Sequence, residues 1–182
     1  RSIAPTAVLT RFAVGLLWVL HLLPYGALAA FGAGLGRLAY VAVPSRRRVC
    51  LVSLARCFPD LSERERVALA KRHFAALGRS IVERGLLWWA PRERLMRLIH
   101  VEGEVDLAER SESPVMWLVP HFLGVDVAGM ATQIFQKHRG FDVYAPQSNE
   151  VLDKAPLRGR SRFGTADFYT RQDGARPIVR AI

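Results

Sequence analysis

Residues 12 to 36 carry no charged side chain, a run of 25 positions. As one helix such a run rises about 38 Å, enough for a hydrocarbon core of ~30 Å. Pro24 interrupts it, and His21, Gly15, Gly26, Gly32, Gly34 and Gly36 weaken it. The pattern predicts an apolar helix over 6–22, a break at Leu23-Pro24, and a second helix of small residues to about residue 43. A cleaved secretory signal is the rival, with Ala27-Leu28-Ala29 as its cleavage site. The sequence stays apolar and Gly/Ala-rich well past Ala29, which favours an anchor. Arg46-Arg47-Arg48 closes the apolar region. With Arg37, it puts the following residues on the cytoplasmic side by the positive-inside bias.

The next signal is Ser62-Glu-Arg-Glu65, a capping box that opens a helical pattern from Glu63 to about Ala90. Val67, Leu69, Ala70, Phe74, Leu77, Ile81, Val82, Leu86 and Leu87 recur at helical spacing. Trp88-Trp89 ends it, in a core or at a lipid interface, and Pro91 starts a short helix carrying Leu95 and Leu98. From Ile99 the texture changes. Ile99-His-Val101, Pro114-Val-Met-Trp-Leu-Val119 and Phe141-Asp-Val-Tyr-Ala145 read as strands, with helices expected over 102–109 and 122–136. This alternation argues for an α/β fold with a largely parallel sheet, whose ligands bind beyond the carboxyl ends of the strands. Residues 1–44 form the expected membrane anchor and apolar helices, and 45–182 the expected cytoplasmic domain. The opening Arg1 and the apolar close Arg176-Pro-Ile-Val-Arg-Ala-Ile182 read as cut ends.

Charge narrows the partners. The chain has 23 Arg against three Lys and a formal net charge of +10. Guanidinium groups match carboxylates and phosphates in bidentate geometry, so acidic partners are expected. Nucleic acid is not, because no binding signature is present. Cys50 and Cys57 stand alone, without the further ligands of a zinc site, and read as reduced structural thiols. No P-loop, dinucleotide fingerprint or metal-ligand spacing occurs, so no cofactor is expected.

His121 and Asp126 carry the candidate chemistry. In one continuous helix they point about 140° apart. With His121 just past a strand end and Asp126 in the second helical turn, the carboxylate can reach back and orient the ring. Such a pair deprotonates a substrate hydroxyl, and no Ser or Cys nucleophile sits beside it. The spacing equally allows a histidine that merely caps the helix. Arg158-Gly-Arg160-Ser-Arg162 is a candidate phosphate clamp or a solvated basic loop. Gln147 and Asn149 end a strand and can orient a hydroxyl or serve the turn. His21, His73, His100 and His138 read as structural.

In order, Ser45-Arg-Arg-Arg48, Cys57-Phe-Pro-Asp-Leu-Ser62, Gly78-Arg-Ser-Ile-Val-Glu83, Pro120-His-Phe-Leu-Gly-Val-Asp126, Tyr144-Ala-Pro-Gln147 and Arg158-Gly-Arg-Ser-Arg-Phe-Gly164 resemble the late acyltransferases of lipid A biosynthesis, the lauroyl/myristoyl type of Gram-negative bacteria. The resemblance implies an αβα sandwich on the cytoplasmic side of the bacterial inner membrane, held by a single span. It implies transfer of a fatty acyl chain from acyl carrier protein to a hydroxyl of a glycolipid precursor. His121 then matches the family's catalytic histidine and Asp126 its acidic partner, more often Glu in the family. Arg158 falls near an active-site arginine, and Arg160 and Asn149 join it as expected substrate contacts. Family members continue past the equivalent of residue 182. The alternatives are a glycerol-phosphate-type acyltransferase, which shares the His-x4-Asp spacing, and a membrane-surface binding fragment without activity.

Overall fold

The computed structural model describes residues 5–104, 106–137, 139–146, 157–164, 166–170, 172–174 and 176–181. Eight helices and two strands are named here: α1 (Pro5–Leu20), α2 (Tyr25–Ala42), α3 (Pro44–Cys57), α4 (Glu63–Trp89), α5 (Arg92–Leu98), α6 (Leu107–Arg110), α7 (Val125–Phe135), β1 (Gly140–Tyr144), β2 (Ala166–Thr170) and α8 (Arg176–Ala181). Leu20–Arg84 form one compact unit, and Arg1–Val19 with Gly85–Ile182 another.

The apolar start breaks where Pro24 requires it. Pro24 is extended, at ψ 143°, and α2 begins one residue later. Sixteen residues of α1 rise only about 24 Å. Among the described residues no single helix is long and apolar enough to cross a membrane. One pair, α2 and α3, meets that test jointly and is bent by 93°. The two expected helices and the break between them are present, and neither is by itself a membrane span. α3 was not foreseen. It opens on Pro44, without a side-chain cap, and carries Arg46, Arg47 and Arg48 in its first turns.

Within Leu20–Arg84, α2 meets α4 along two rows of residues spaced by four. Leu28, Gly32 and Gly36 are the buried residues of α2, and Ala70, Phe74, Gly78 and Val82 are buried on α4. The rows run in opposite directions, Gly36 against Phe74 and Gly32 against Val82. A Cβ on Gly36 would lie 1.9 Å from the Phe74 carbonyl oxygen, and one on Gly78 2.3 Å from that of Gly32. Only hydrogen at these three positions lets the backbones touch. Tyr40 packs edge-on against Phe74 at 5.4 Å, and the Tyr25 hydroxyl donates to Glu83 Oε1 at 2.9 Å. The capping box forms as predicted: the Ser62 N–H donates to Glu65 Oε2 at 2.8 Å and the Glu65 N–H to Ser62 Oγ at 3.3 Å. The Ser62 hydroxyl, then its backbone N–H, hold the Glu65 carboxyl below the usual carboxylate range. The box therefore stabilises α4 above the ordinary carboxylate pKa, and its contribution is lost as pH falls through the depressed value.

In the other unit Leu86, Leu87, Trp88, Ala90, Leu95, Met130 and Ile134 are buried. Arg92 of α5 donates to the Ile134 carbonyl at 2.7 Å, capping the carboxyl end of α7. β1 pairs with β2 in parallel, Gly140 with Ala166 through Tyr144 with Thr170. A parallel pair needs a crossover, and residues 157–160 of that connection are helical.

Several expectations are corrected. Among the described residues the sheet has two parallel strands and the chain is mostly helical, which fits an α/β class more coarsely than the expected αβα sandwich. Ile99–Val101 is not a strand, because the Ile99 N–H closes α5 by donating to Leu95 at 2.8 Å. Pro114–Val119 stays unpaired: prolines at 114 and 120 bracket it, and neither has an N–H to give a ladder. Met116 and Leu118 stand out of it, 92% and 95% exposed. The helix expected over 102–109 starts only at Leu107, after Gly103 turns the chain at φ 99°.

The glycine crossing yields a paired prediction. Gly36→Ala should destabilise the protein by about 1–3 kcal/mol, because backbone atoms cannot move aside for the methyl group. Gly34→Ala, with nothing within 4 Å of its Cβ, should raise the thermal midpoint through helix propensity alone. Thermal unfolding of both variants in the same detergent is the check; equal shifts would show that the crossing is not tight.

Candidate active site

His121 lies between an extended segment and α7. The Phe122 N–H donates to the Pro120 carbonyl at 3.0 Å, which closes a three-residue turn with His121 at its centre. No non-glycine φ is positive among the described residues, so this is the inverse γ-turn. The Val125 N–H then donates to Phe122 at 3.1 Å, and the Ala128 N–H to Gly124 at 2.9 Å, which starts α7. Two successive turns thus replace the first helical residues expected over 122–124, and they leave His121 exposed. The Phe122 ring covers Gly124, whose Cβ would lie 2.8 Å from Cε2.

Asp126 lies in the first turn of α7 rather than the second, where the helix dipole favours a carboxylate. Its side chain is 11% exposed and is ion-paired with Arg160 Nη2, on a side chain 39% exposed. Among the described residues no hydrogen bond joins His121 to Asp126. The contact that joins Asp126 to Arg160, 34 residues away, differs from the expected pairing of Asp126 with His121 and of Arg160 with phosphate.

The rest of the Arg-Ser-Arg block explains how Arg160 is held. Gly159 is buried beneath the Trp88 indole, where a Cβ would lie 2.2 Å from Cδ1. The Ser161 N–H and hydroxyl both donate to the Leu157 carbonyl at 2.9 Å. Arg162 donates to the Ala90 carbonyl, just past the end of α4, and lies 4.4 Å from the Phe163 ring centroid. Burial pushes the Arg162 guanidinium below its ordinary pKa. Gly164, at φ 74°, turns the chain away. Arg158 stays exposed and, among the described residues, makes no ion pair. The structure therefore brings Asp126 and Arg160 together and leaves Arg158 facing solvent, while Asn149 lies outside the described residues. Trp88, Arg162 and Phe163 were not singled out as supports for this block, although the Gly/Arg alternation was its signal.

Two other features bear on chemistry. A cleft of about 500 Å³ at the amino end of the strands is lined by Arg139, Phe141, Asp167, Tyr169, Arg176 and Arg180. Arg139 grips Asp167 at 2.6 and 2.7 Å and holds its carboxyl below the usual range. None of His121, Asp126, Arg158 and Arg160 lines that cleft. Among the described residues no three His, Cys, Asp or Glu side chains group as a metal site.

Comparison with known proteins gives a consistent answer. The family model described as bacterial lipid A biosynthesis acyltransferase matches residues 1–182. The lipid A biosynthesis lauroyltransferase of Escherichia coli (strain K12) is 30% identical over 160 residues, covering 87% of this chain and 52% of that protein. The lipid A biosynthesis palmitoleoyltransferase of the same organism is 30% identical over 180 residues, covering 98% and 58%. A lipid A biosynthesis acyltransferase of Haemophilus influenzae is 32% identical over 162 residues, covering 88% and 51%. The chain spans about half the length of these curated relatives. No solved structure matches it.

The Asp126–Arg160 pair is testable without an activity assay. Arg160→Leu should cost about 1–3 kcal/mol, since it removes a charged partner from a largely covered carboxylate. Combined with Asp126→Asn, the loss should be smaller than the sum of the single losses. Denaturant midpoints for the four-member cycle measure this; strict additivity would mean the two side chains do not interact.

Proposed function

We propose, from the premise that this chain belongs to the bacterial lipid A biosynthesis acyltransferase family, that the protein moves a fatty acyl chain onto a hydroxyl of a lipid A precursor glycolipid. Acyl carrier protein thioester is the proposed donor. The observation that carries the reading is the placement of His121 on an exposed turn directly before α7, within a chain matched over its full length by the family model. An exposed imidazole on a hydrogen-bonded turn can meet a substrate hydroxyl, whereas a packed structural histidine cannot.

In the proposed reaction a His121 ring nitrogen takes the proton of the acceptor hydroxyl. The oxygen attacks the thioester carbonyl, the C–O bond forms, and the C–S bond breaks. The leaving carrier thiolate recovers the proton from the imidazolium. Asp126, at the amino end of α7 and anchored by Arg160, supplies negative charge on this side of the site and favours the imidazolium as it forms. Arg158 is free to meet a phosphate of the acceptor, and the guanidinium donors of Arg160 not used by Asp126 can join it. Asn149 is the proposed contact to an acceptor hydroxyl or amide.

Location is part of the same proposal. The apolar helices α1 and α2 hold the protein at the bacterial inner membrane, and Arg46-Arg47-Arg48 keeps residues 45 onward in the cytoplasm. That side is where a soluble carrier protein can deliver its acyl group.

The test uses the full-length enzyme with acyl carrier protein thioester and a phosphorylated lipid A precursor. His121→Ala should lower turnover by about 10²–10⁴-fold while the protein stays folded. Asp126→Asn should lower kcat more than it changes the acceptor KM, and Asp126→Glu should be milder. Near-wild-type turnover in His121→Ala would remove the general-base role. Transfer to glycerol phosphate in preference to the glycolipid would replace the acceptor.

A further inference from the structure

Tyr40, near the end of α2, has a cation on each of two neighbouring helices. The Arg47 guanidinium carbon of α3 lies 5.4 Å from its ring centroid, and the Lys71 ammonium of α4 lies 6.0 Å from it. The two charges are therefore no more than 11.4 Å apart, about one Debye length at moderate salt. Arg47 is tied back by a hydrogen bond to the Tyr40 carbonyl at 3.4 Å, and the ring is braced by Phe74 at 5.4 Å. A tyrosine face returns little to an exposed cation, too little to be the reason for collecting two.

The unit supplies no counter-charge at this point. Leu20–Arg84 contains eleven Arg and Lys against four Asp and Glu, a net charge of +7. Of the four carboxylates, Glu83 is engaged with Arg79 and Tyr25, and Glu65 with Ser62. Asp60 precedes α4 and Glu63 opens it, about 12 Å of helix before Lys71. Among the described residues neither Arg47 nor Lys71 makes an ion pair. The cations are also flanked by apolar side chains that face outward: Leu38 is 63% exposed, Val41 68% and Val49 60%. Fixed positive charge beside exposed aliphatic groups suits the boundary between lipid headgroups and acyl chains, and does not suit open water.

We infer that the elbow between α2 and α3 is a phospholipid-phosphate site, in which Arg47 and Lys71 converge on the headgroup of an anionic bilayer lipid beside Tyr40. Leu38, Val41 and Val49 enter the acyl boundary around it. The 93° bend between the two helices then lets α3 lie along the surface while α2 points elsewhere. Binding here needs no acyl transfer, so vesicle preference and turnover report on separate properties.

The experiment offers the full-length protein, diluted from detergent, a mixture of phosphatidylcholine vesicles and vesicles containing phosphatidylglycerol, and measures the ratio of protein on the two. Each cation near an anionic surface contributes about 5-fold, so Arg47→Gln with Lys71→Gln should reduce the anionic preference by roughly 25-fold. Arg64→Gln with Arg72→Gln removes the same charge from elsewhere on the unit and should reduce it several-fold less. The exchange Arg47→Lys with Lys71→Arg, which conserves charge, should keep most of the preference and guards against misfolding of the neutral pair. An equal loss in the two neutralised pairs would overturn the site in favour of unlocalised net charge. If Arg47→Gln with Lys71→Gln weakens binding of an acidic carrier protein and leaves the vesicle ratio unchanged, the lipid assignment is overturned as well.

Discussion

The candidate site depends on one ion pair. Asp126 begins α7 with a side chain only 11% exposed, and a carboxylate so covered requires partners to remain charged. Arg160 provides one, and to do so it must be delivered from the end of a short helical segment far along the chain. The segment is built for delivery: Gly159 gives way to Trp88, Ser161 ties back to Leu157, and Arg162 is fastened at the end of α4. Arg160 is thereby a positioning residue whose order is inherited from packing on α4. The same pair fixes α7, and with it the turn that presents His121.

The other unit solves a different problem with different means. α2 and α4 approach until backbone meets backbone, at Gly32, Gly36 and Gly78. The seam uses one edge of α2 and leaves Leu38 and Val41 on that helix to face outward, as Val49 does on α3. Such residues are a liability in water and an asset at a bilayer. Two of the glycines that weaken the helix prediction for the apolar segment, Gly32 and Gly36, are thus the ones that create its packing face.

Local signals carried most of what was legible in the sequence. The capping box set the start of α4, Pro24 split the apolar segment, and a short apolar run with Val143 and Tyr144 gave β1. α3 went unforeseen because its arginines read as the flank of an anchor, and none of its residues is buried to leave a periodic stripe. Pro114–Val119 misled because an apolar run resembles a buried strand, although the prolines at 114 and 120 each remove a ladder donor at its ends. β2 has a charged Asp167 at its second position, which hid it; that carboxylate is answered by Arg139 beside β1. The partner of Asp126 was not legible at all. A contact between residues 34 apart leaves no periodicity, and His121 was the nearer candidate.

The central claim is that His121 is the base of an acyl transfer supported by Asp126. The most direct measurement is kcat as a function of pH for the full-length enzyme, with acyl carrier protein thioester as donor and the glycolipid saturating. Wild-type turnover should rise with pH through a single deprotonation, and this limb should be absent from the residual rate of His121→Ala. The same limb persisting in His121→Ala would contradict it, because the titrating group would then lie elsewhere.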